Sequence, residues 1–175
     1  MNTPPVEPRK PELLCPAGSL RALQVAIDAG ADTVYMGLRD ATNARNFAGL
    51  NFDLVATREG IAYAHARGRK VLMALNTFAD ARDEGPWRRA VDTAASLGID
   101  ALIAADLAVL AYAARVHPAL PLHLSVQASA TNYEAIEFYR ERYGIARAVL
   151  PRVLTLQQVQ HVARHTPVDI EVFGF

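Results

Sequence analysis

The chain is short of the residues that staple or coat a fold. Among its 175 residues is a single cysteine, Cys15, so no intramolecular disulfide can form. The chain by itself also lacks the thiols for a cysteine-based zinc or iron–sulfur site. A lone cysteine inside an apolar run fits a reducing compartment, and a cytoplasmic location is expected. Neither sign of charge is in excess: 18 Lys and Arg balance 18 Asp and Glu. That argues against a wide basic face for gripping nucleic-acid backbone. Aromatic residues make up only 7% of the chain, which disfavours a stacking platform for sugars or bases. Long hydrophobic runs are missing too. The longest apolar stretch, 101–114, is too short to span a bilayer and contains Asp106. Residues 1–10 carry Pro4, Pro5 and Pro8 without an apolar core, so they read as a disordered Pro-rich tail and not as a signal peptide.

What the chain does have is a repeat. A short apolar run, a polar turn and a segment of helical period recur from residue 11 onward. Strands are expected over 12–15, 33–38, 70–78, 101–105, 122–127, 146–150 and 168–173. Between them, helices are expected from Ser19 to Gly30, over 53–67, from Pro86 to Gly98, and over 107–116, 133–143 and 156–165. Alternating strands and helices with short connections imply a parallel sheet with right-handed crossovers. No Gly-rich dinucleotide fingerprint follows the first strand, so a nucleotide-binding doubly wound sheet loses its main support. The expected fold is an α/β (β/α) barrel of TIM type over 11–175, cut after seven strands and six helices and before a closing unit. Open edges on the first and seventh strands would invite association.

In such a barrel the reactive groups follow the strands. Those positions hold Cys15, Ser19, Tyr35, Arg39, Asn43, Arg45, Asn46, Asn76, Thr77, Asp106, Ser125, Gln127, Ser129, Asn132, Arg152 and Glu171. A rim of amides, hydroxyls, arginines and carboxylates suits an oxygen-rich anion, with arginine as the bidentate partner of a carboxylate. Plainer readings stand beside this one. Ser19 and Asp106 can be helix caps, Gln127 a satisfied core amide, and Arg152 half of a structural ion pair. Cys15 can be a buried small hydrophobe. Asn43 and Arg45 lie in a connection longer than a tight turn needs, where function concentrates. His161 and His165 share a helix face at metal-ligand spacing, but no Glu follows His161, and a surface pair is the simpler reading. No nucleophile elbow, phosphate loop or metal cluster is present.

The segments PELLCPAGS (11–19), GADTVYMG (30–37), TNARNFAGLNF (42–52), DALIAAD (100–106), SVQASATN (125–132) and LPRVLT (150–155) follow one another in an order that resembles the collagenase-like peptidase family. The resemblance runs from Pro11 to Phe175. TNARNFAGLNF combined with SVQASATN is its specific part. Many relatives carry an Arg-Glu-Leu-Ser string where this chain has Arg152, Val153, Leu154 and Thr155. That departure points to the branch that hydroxylates ubiquinone precursors without O2. The resemblance implies a hydroxylase subunit that works as a heterodimer with a UbiV-like subunit and holds a 4Fe-4S cluster. It also implies prephenate as oxygen source and a UbiT-like lipid carrier as accessory. The family's cluster cysteines are expected beyond Phe175, so the chain alone should be inactive. On this reading Asn43, Arg45, Gln127, Asn132 and Arg152 hold an oxygenated anionic substrate, while Asp106 and Glu171 handle protons or orient the arginines. Two alternatives stay open: a peptidase-like or RNA-hydroxylating relative, and a non-catalytic short form that binds a partner through its open edges.

Overall fold

The computed structural model describes residues 10–174. All of the expected Pro-rich tail except Lys10 lies outside the described residues. Seven strands and six helices alternate: β1 (Leu14–Pro16), α1 (Leu20–Asp28), β2 (Thr33–Met36), α2 (Leu54–His65), β3 (Lys70–Leu75), α3 (Gly85–Leu97), β4 (Ala101–Ala104), α4 (Leu107–Val116), β5 (Leu122–Leu124), α5 (Tyr133–Tyr143), β6 (Ile145–Val149), α6 (Leu156–His165) and β7 (Asp169–Glu171). The strands form one parallel sheet in sequential order, curled as a part-barrel. Within it β1 pairs only with β2, and β7 only with β6.

Alternation along each strand divides the apolar residues between two faces. Val71, Met73 and Leu75 of β3 point out under the helices, where they join Leu23, Val91, Leu110, Ile136 and Val162 in the main core. Leu72 and Ala74 point in and pack with Ala101, Ile103, Leu14 and Tyr35. Fully burying each of the larger side chains contributes about 1.5–3 kcal/mol. All the helices but α3, which starts with Pro86 in its first turn, begin where a capping side chain satisfies free N–H groups. Ser19, Asp53, Asp106, Asn132 and Thr155 all cap in this way, and Thr155 with Gln158 completes a capping box.

Several strand ends differ from the sequence expectation. β1 begins at Leu14, two residues late: the Leu13 N–H goes to the Asp32 carboxylate (3.0 Å), and the Glu12 side chain meets Thr33 and Arg147. It then runs through Pro16, which an edge strand tolerates since no ladder N–H is needed on its open side. β3 stops at Leu75, not at Phe78. β5 stops at Leu124, not at Gln127: the Ser125 hydroxyl caps a single 3-10 turn, Val126–Ala128, that ends at Ser129 in the left-handed region (φ 53°). β7 spans three residues and ends before Phe173.

Candidate functional site

The strands' C-terminal ends open onto a cavity of about 320 Å³. Its wall is assembled from nearly every strand in turn. Pro16 to Gly18 come from the β1 end, Gly37 from β2, Asn76 from β3, Ser125 to Gln127 from β5, Val149 from β6, and Glu171 and Phe173 from β7. The long connection after β2 supplies Asn43, Arg45, Phe47, Leu50 and Asn51.

That connection is irregular but tightly fastened. Asn43 is buried, and both ends of its amide serve the loop: Nδ2 donates to Leu38 O (3.1 Å), and Oδ1 accepts from Arg45 N (3.0 Å). The Asn76 side chain accepts from Ala44 N (2.9 Å), joining the loop to the end of β3. Asn51 sits at φ 72°, donates its amide to Arg45 O (2.6 Å), and gives its backbone N–H to Gly18 O (2.7 Å). A Cβ on Gly37 would lie 2.4 Å from Asn43 Nδ2, so the close approach of this amide needs glycine there. Asn43 therefore shapes the loop, and Arg45 extends from it as an exposed cation on the cavity wall.

Opposite, Ser125 donates to Gln127 Oε1 within the 3-10 turn, and both residues line the cavity. Glu171 closes the inner end. Its side chain is 17% exposed, and its Oε2 is buried without a hydrogen-bond partner. Burial raises its proton affinity above the usual carboxylate range; Arg147 opposes this and Glu12 adds to it.

Four of the expected site residues thus share one cavity: Asn43, Arg45, Gln127 and Glu171. Arg152 stands beside it, its guanidinium 3.6 Å from the centroid of the Phe173 ring that lines the wall. Asp106 lies away from the lining. Its Oδ1 caps Ala108 N (2.8 Å) and Val109 N (3.0 Å), and its Oδ2 accepts from Ala79 N (3.2 Å). Asn132 caps α5 through Ala135 N (2.8 Å) and borders a separate groove with Tyr133, Thr155 and His161. His165 lies next to His161, with ring centroids 4.2 Å apart and planes tilted by 34°.

The sequence reading gave no role to the apolar wall of Phe47, Leu50 and Phe173, or to the charged layer beneath the cavity. That layer holds Glu12, Thr33, Lys70, His123 and Arg147. Its signal was the period of two: His123 shares the inward face with Ser125, and Arg147 shares it with Val149. No group of three or more His, Cys, Asp or Glu residues among those described is placed to hold a metal ion. With one cysteine, Cys15, the side chains present do not fit a 4Fe-4S cluster. Among the described residues no helix is long and apolar enough to cross a membrane.

Residues 18–175 match the model of Peptidase family U32. The chain is 34% identical over 170 residues to tRNA hydroxylation protein P of Escherichia coli, covering 94% of this chain and 36% of that protein. Its identity to the protein of the same name in Helicobacter pylori is 37% over 164 residues, covering 93% and 38%. The chain thus spans little more than a third of these relatives. Among solved structures, the U32 peptidase Mk0906 aligns with a TM-score of 0.73 over 96% of this chain and 71% of that one, at 16% identity. This last likeness speaks for the barrel fold alone.

Proposed function

The chain belongs to peptidase family U32, and from that premise we propose that it is the substrate-holding barrel part of a hydroxylation protein and not of a peptidase. The observation that carries this reading is the meeting of Arg45, Gln127 and Glu171 around one cavity at the strand ends. Arg45 offers a carboxylate a forked, permanently charged partner. Gln127, Asn51 and Tyr35 offer hydrogen bonds to further oxygens, and Phe47, Leu50 and Phe173 cover an apolar ring or chain. The lining hydroxyl, Ser125, gives its proton to an amide and not to a base, so the cavity is furnished for binding more than for acyl transfer.

The finer reading is a UbiU-like role. A small oxygenated anion such as prephenate supplies oxygen to a ubiquinone precursor, with a UbiV-like partner subunit, a UbiT-like carrier and a 4Fe-4S cluster whose ligands come from outside this chain. Arg152 binds the substrate from beside the cavity wall, whereas Asp106 and Asn132, whose side chains cap α4 and α5, serve the site by fastening the turns that follow β4 and β5. A second reading takes a tRNA base as the acceptor, favoured by the names of the relatives and opposed by the balanced charge. Deleting the gene and growing the strain without O2 separates the two. Loss of quinone supports the first reading, and loss of hydroxylated tRNA nucleosides the second. Restoring the whole protein with Arg45→Ala should fail to rescue the affected product. Normal levels of both products in the deletion strain overturn the hydroxylation reading, and full rescue by Arg45→Ala overturns the role of Arg45.

A further inference from the structure

Beneath the cavity, two carboxylates face one guanidinium. Arg147, on β6, points into the barrel and is largely buried, with 16% of its side chain exposed. Its Nη2 donates to Glu12 Oε2 at 2.5 Å, from a residue that precedes β1 on the far side of the unpaired seam. Its Nη1 stands 3.7 Å from Glu171 Oε2, beyond hydrogen-bond length. Glu12 has further support: Thr33 Oγ1 donates to its Oε1, and Lys70 adds a nearby positive charge. Glu171 has none of this. Its Oε2 is buried without a hydrogen-bond partner, while the residue itself lines the cavity.

We propose that Glu12 and Glu171 compete for Arg147, that Glu12 holds it, and that Glu171 is thereby left as the cavity carboxyl that takes up a proton more readily than Glu12 and, once protonated, can donate a hydrogen bond to an oxygen of a bound ligand. Glu12 and Arg147 are positioning residues in this scheme, since both act through Glu171. The inference deepens the reading of this cavity as a site for an oxygenated anion, and it rests on that reading only for the ligand's identity. When it carries the proton, Glu171 no longer repels an anionic ligand, and Arg45 meets the ligand's charge.

The electrostatic directions agree with the geometry. Burial works against the charge of Glu12, but the hydrogen bonds from Thr33 and Arg147 and the charges of Arg147 and Lys70 outweigh it and hold Glu12 below the usual carboxylate range. Glu171 goes the other way: burial raises it most, the charge of Arg147 pulls it back, the charge of Glu12 raises it again, and the approach of the Arg147 N–H groups lowers it least. The charged groups that face Glu171 are Arg147 from β6 and Glu12 from the segment before β1. Lys70 acts on Glu12, and His123 feels Arg147, Glu12 and Lys70; neither acts on Glu171 directly.

The test follows the side-chain Cδ resonances of 13C-labelled glutamates against pH, with Glu171→Gln to assign the Glu171 signal. In the wild-type chain, Glu171 should titrate above 4.5 and Glu12 below it. Glu12→Gln removes the competitor, so Arg147 is free to turn to Glu171, whose midpoint should fall by about one pH unit. Arg147→Lys keeps a charge but loses the fork, and should raise the Glu12 midpoint. Unchanged far-ultraviolet circular dichroism checks that each variant keeps the fold, and a merely structural role would not move the Glu171 midpoint. A wild-type Glu171 that titrates below 4.5, or one that Glu12→Gln leaves in place or shifts upward, overturns the proposal. The readout needs no ligand and no activity, so its failure is distinct from failure of the hydroxylation reading.

Discussion

Acidification should destabilise this barrel through one residue, His123. The side chain lies in β5 beneath the cavity, 7% exposed, with its Nδ1 buried and without a partner. Burial first and the charge of Arg147 second push its pKa from 6.5 down to about 4; the charge of Glu12 pulls the other way, and Lys70 adds the smallest downward push. In the unfolded chain the ring regains its ordinary affinity, so the unfolded state binds the proton more tightly. The stability that depends on a neutral His123 is therefore present above pH 6.5 and drains away as pH falls toward 4. A gap of about 2.5 pH units, at about 1.4 kcal/mol each, amounts to about 3 kcal/mol in full, of which about 2 kcal/mol is lost by pH 5. The assay is urea unfolding at pH 7.5 and pH 5, on the wild type and on His123→Gln, which cannot titrate. Glu171 contributes with the opposite sign, because its raised affinity favours the folded form at low pH and that favour fades as pH rises past 4.5. It is present in both proteins and cancels in the difference. The wild type should lose about 2 kcal/mol more than the variant between the two pH values. Equal losses, within about 0.5 kcal/mol, would refute the reasoning.

Three further outcomes can be checked by denaturation and binding. Gly37→Ala brings a Cβ to 2.4 Å from the buried Asn43 amide, and should cost about 1–3 kcal/mol while loosening the loop that presents Arg45; a change under 0.5 kcal/mol would show that Asn43 shifts freely. Asp106→Ala removes the cap on Ala108 and Val109 and the bond from Ala79, at a cost of about 1–2 kcal/mol. Asp106→Asn can keep the cap through its one remaining oxygen, but its Nδ2 cannot accept from Ala79 N, so it should lose about 0.5–1.5 kcal/mol where the alanine variant loses more; a loss equal to that of Asp106→Ala would show that the cap is not kept. Arg152→Ala strips the guanidinium from the Phe173 ring and should cost about 0.5–1 kcal/mol in unfolding free energy, with no change in the Arg45 loop; a larger loss would mean that the pair also anchors the chain after β7.

Much of the scaffold was legible because the physics behind it is local. The helices over 107–116, 133–143 and 156–165 come out as read, each with its cap residue just ahead of an apolar period. Strand ends were less legible, since they depend on side chains meeting across the barrel. Nothing near Glu12 in sequence says that it will leave the strand for Arg147, 135 positions away. Gln127 looked like strand because a two-residue alternation continues through it, yet the Ser125 hydroxyl offers the backbone a competing partner and a 3-10 turn wins. In the site, Arg45 and Glu171 were found by their place after strands. Asp106 and Asn132 meet the same rule, and their side chains go to helix caps because a cap lies two or three residues away.

That difference separates two kinds of polar residue on the rim. A side chain whose best partner is its own following helix is satisfied before any ligand arrives, and binding to it must displace a bond already made. Arg45 and Glu171 have no such local partner. Arg45 is exposed, and the backbone beneath it is fixed by Asn43 and Asn51. Glu171 is enclosed, and its neighbour Arg147 gives its hydrogen bond to Glu12. One group is therefore held ready by its loop and the other kept free by a competitor across the barrel. Both conditions come from tertiary contacts, so the cavity's chemistry depends on the seam between β1 and β7 keeping Glu12 beside Arg147. Displacing β1 by a residue's rise would draw Glu12 about 3.3 Å along the barrel axis, enough to break its hydrogen bond and return Arg147 to Glu171.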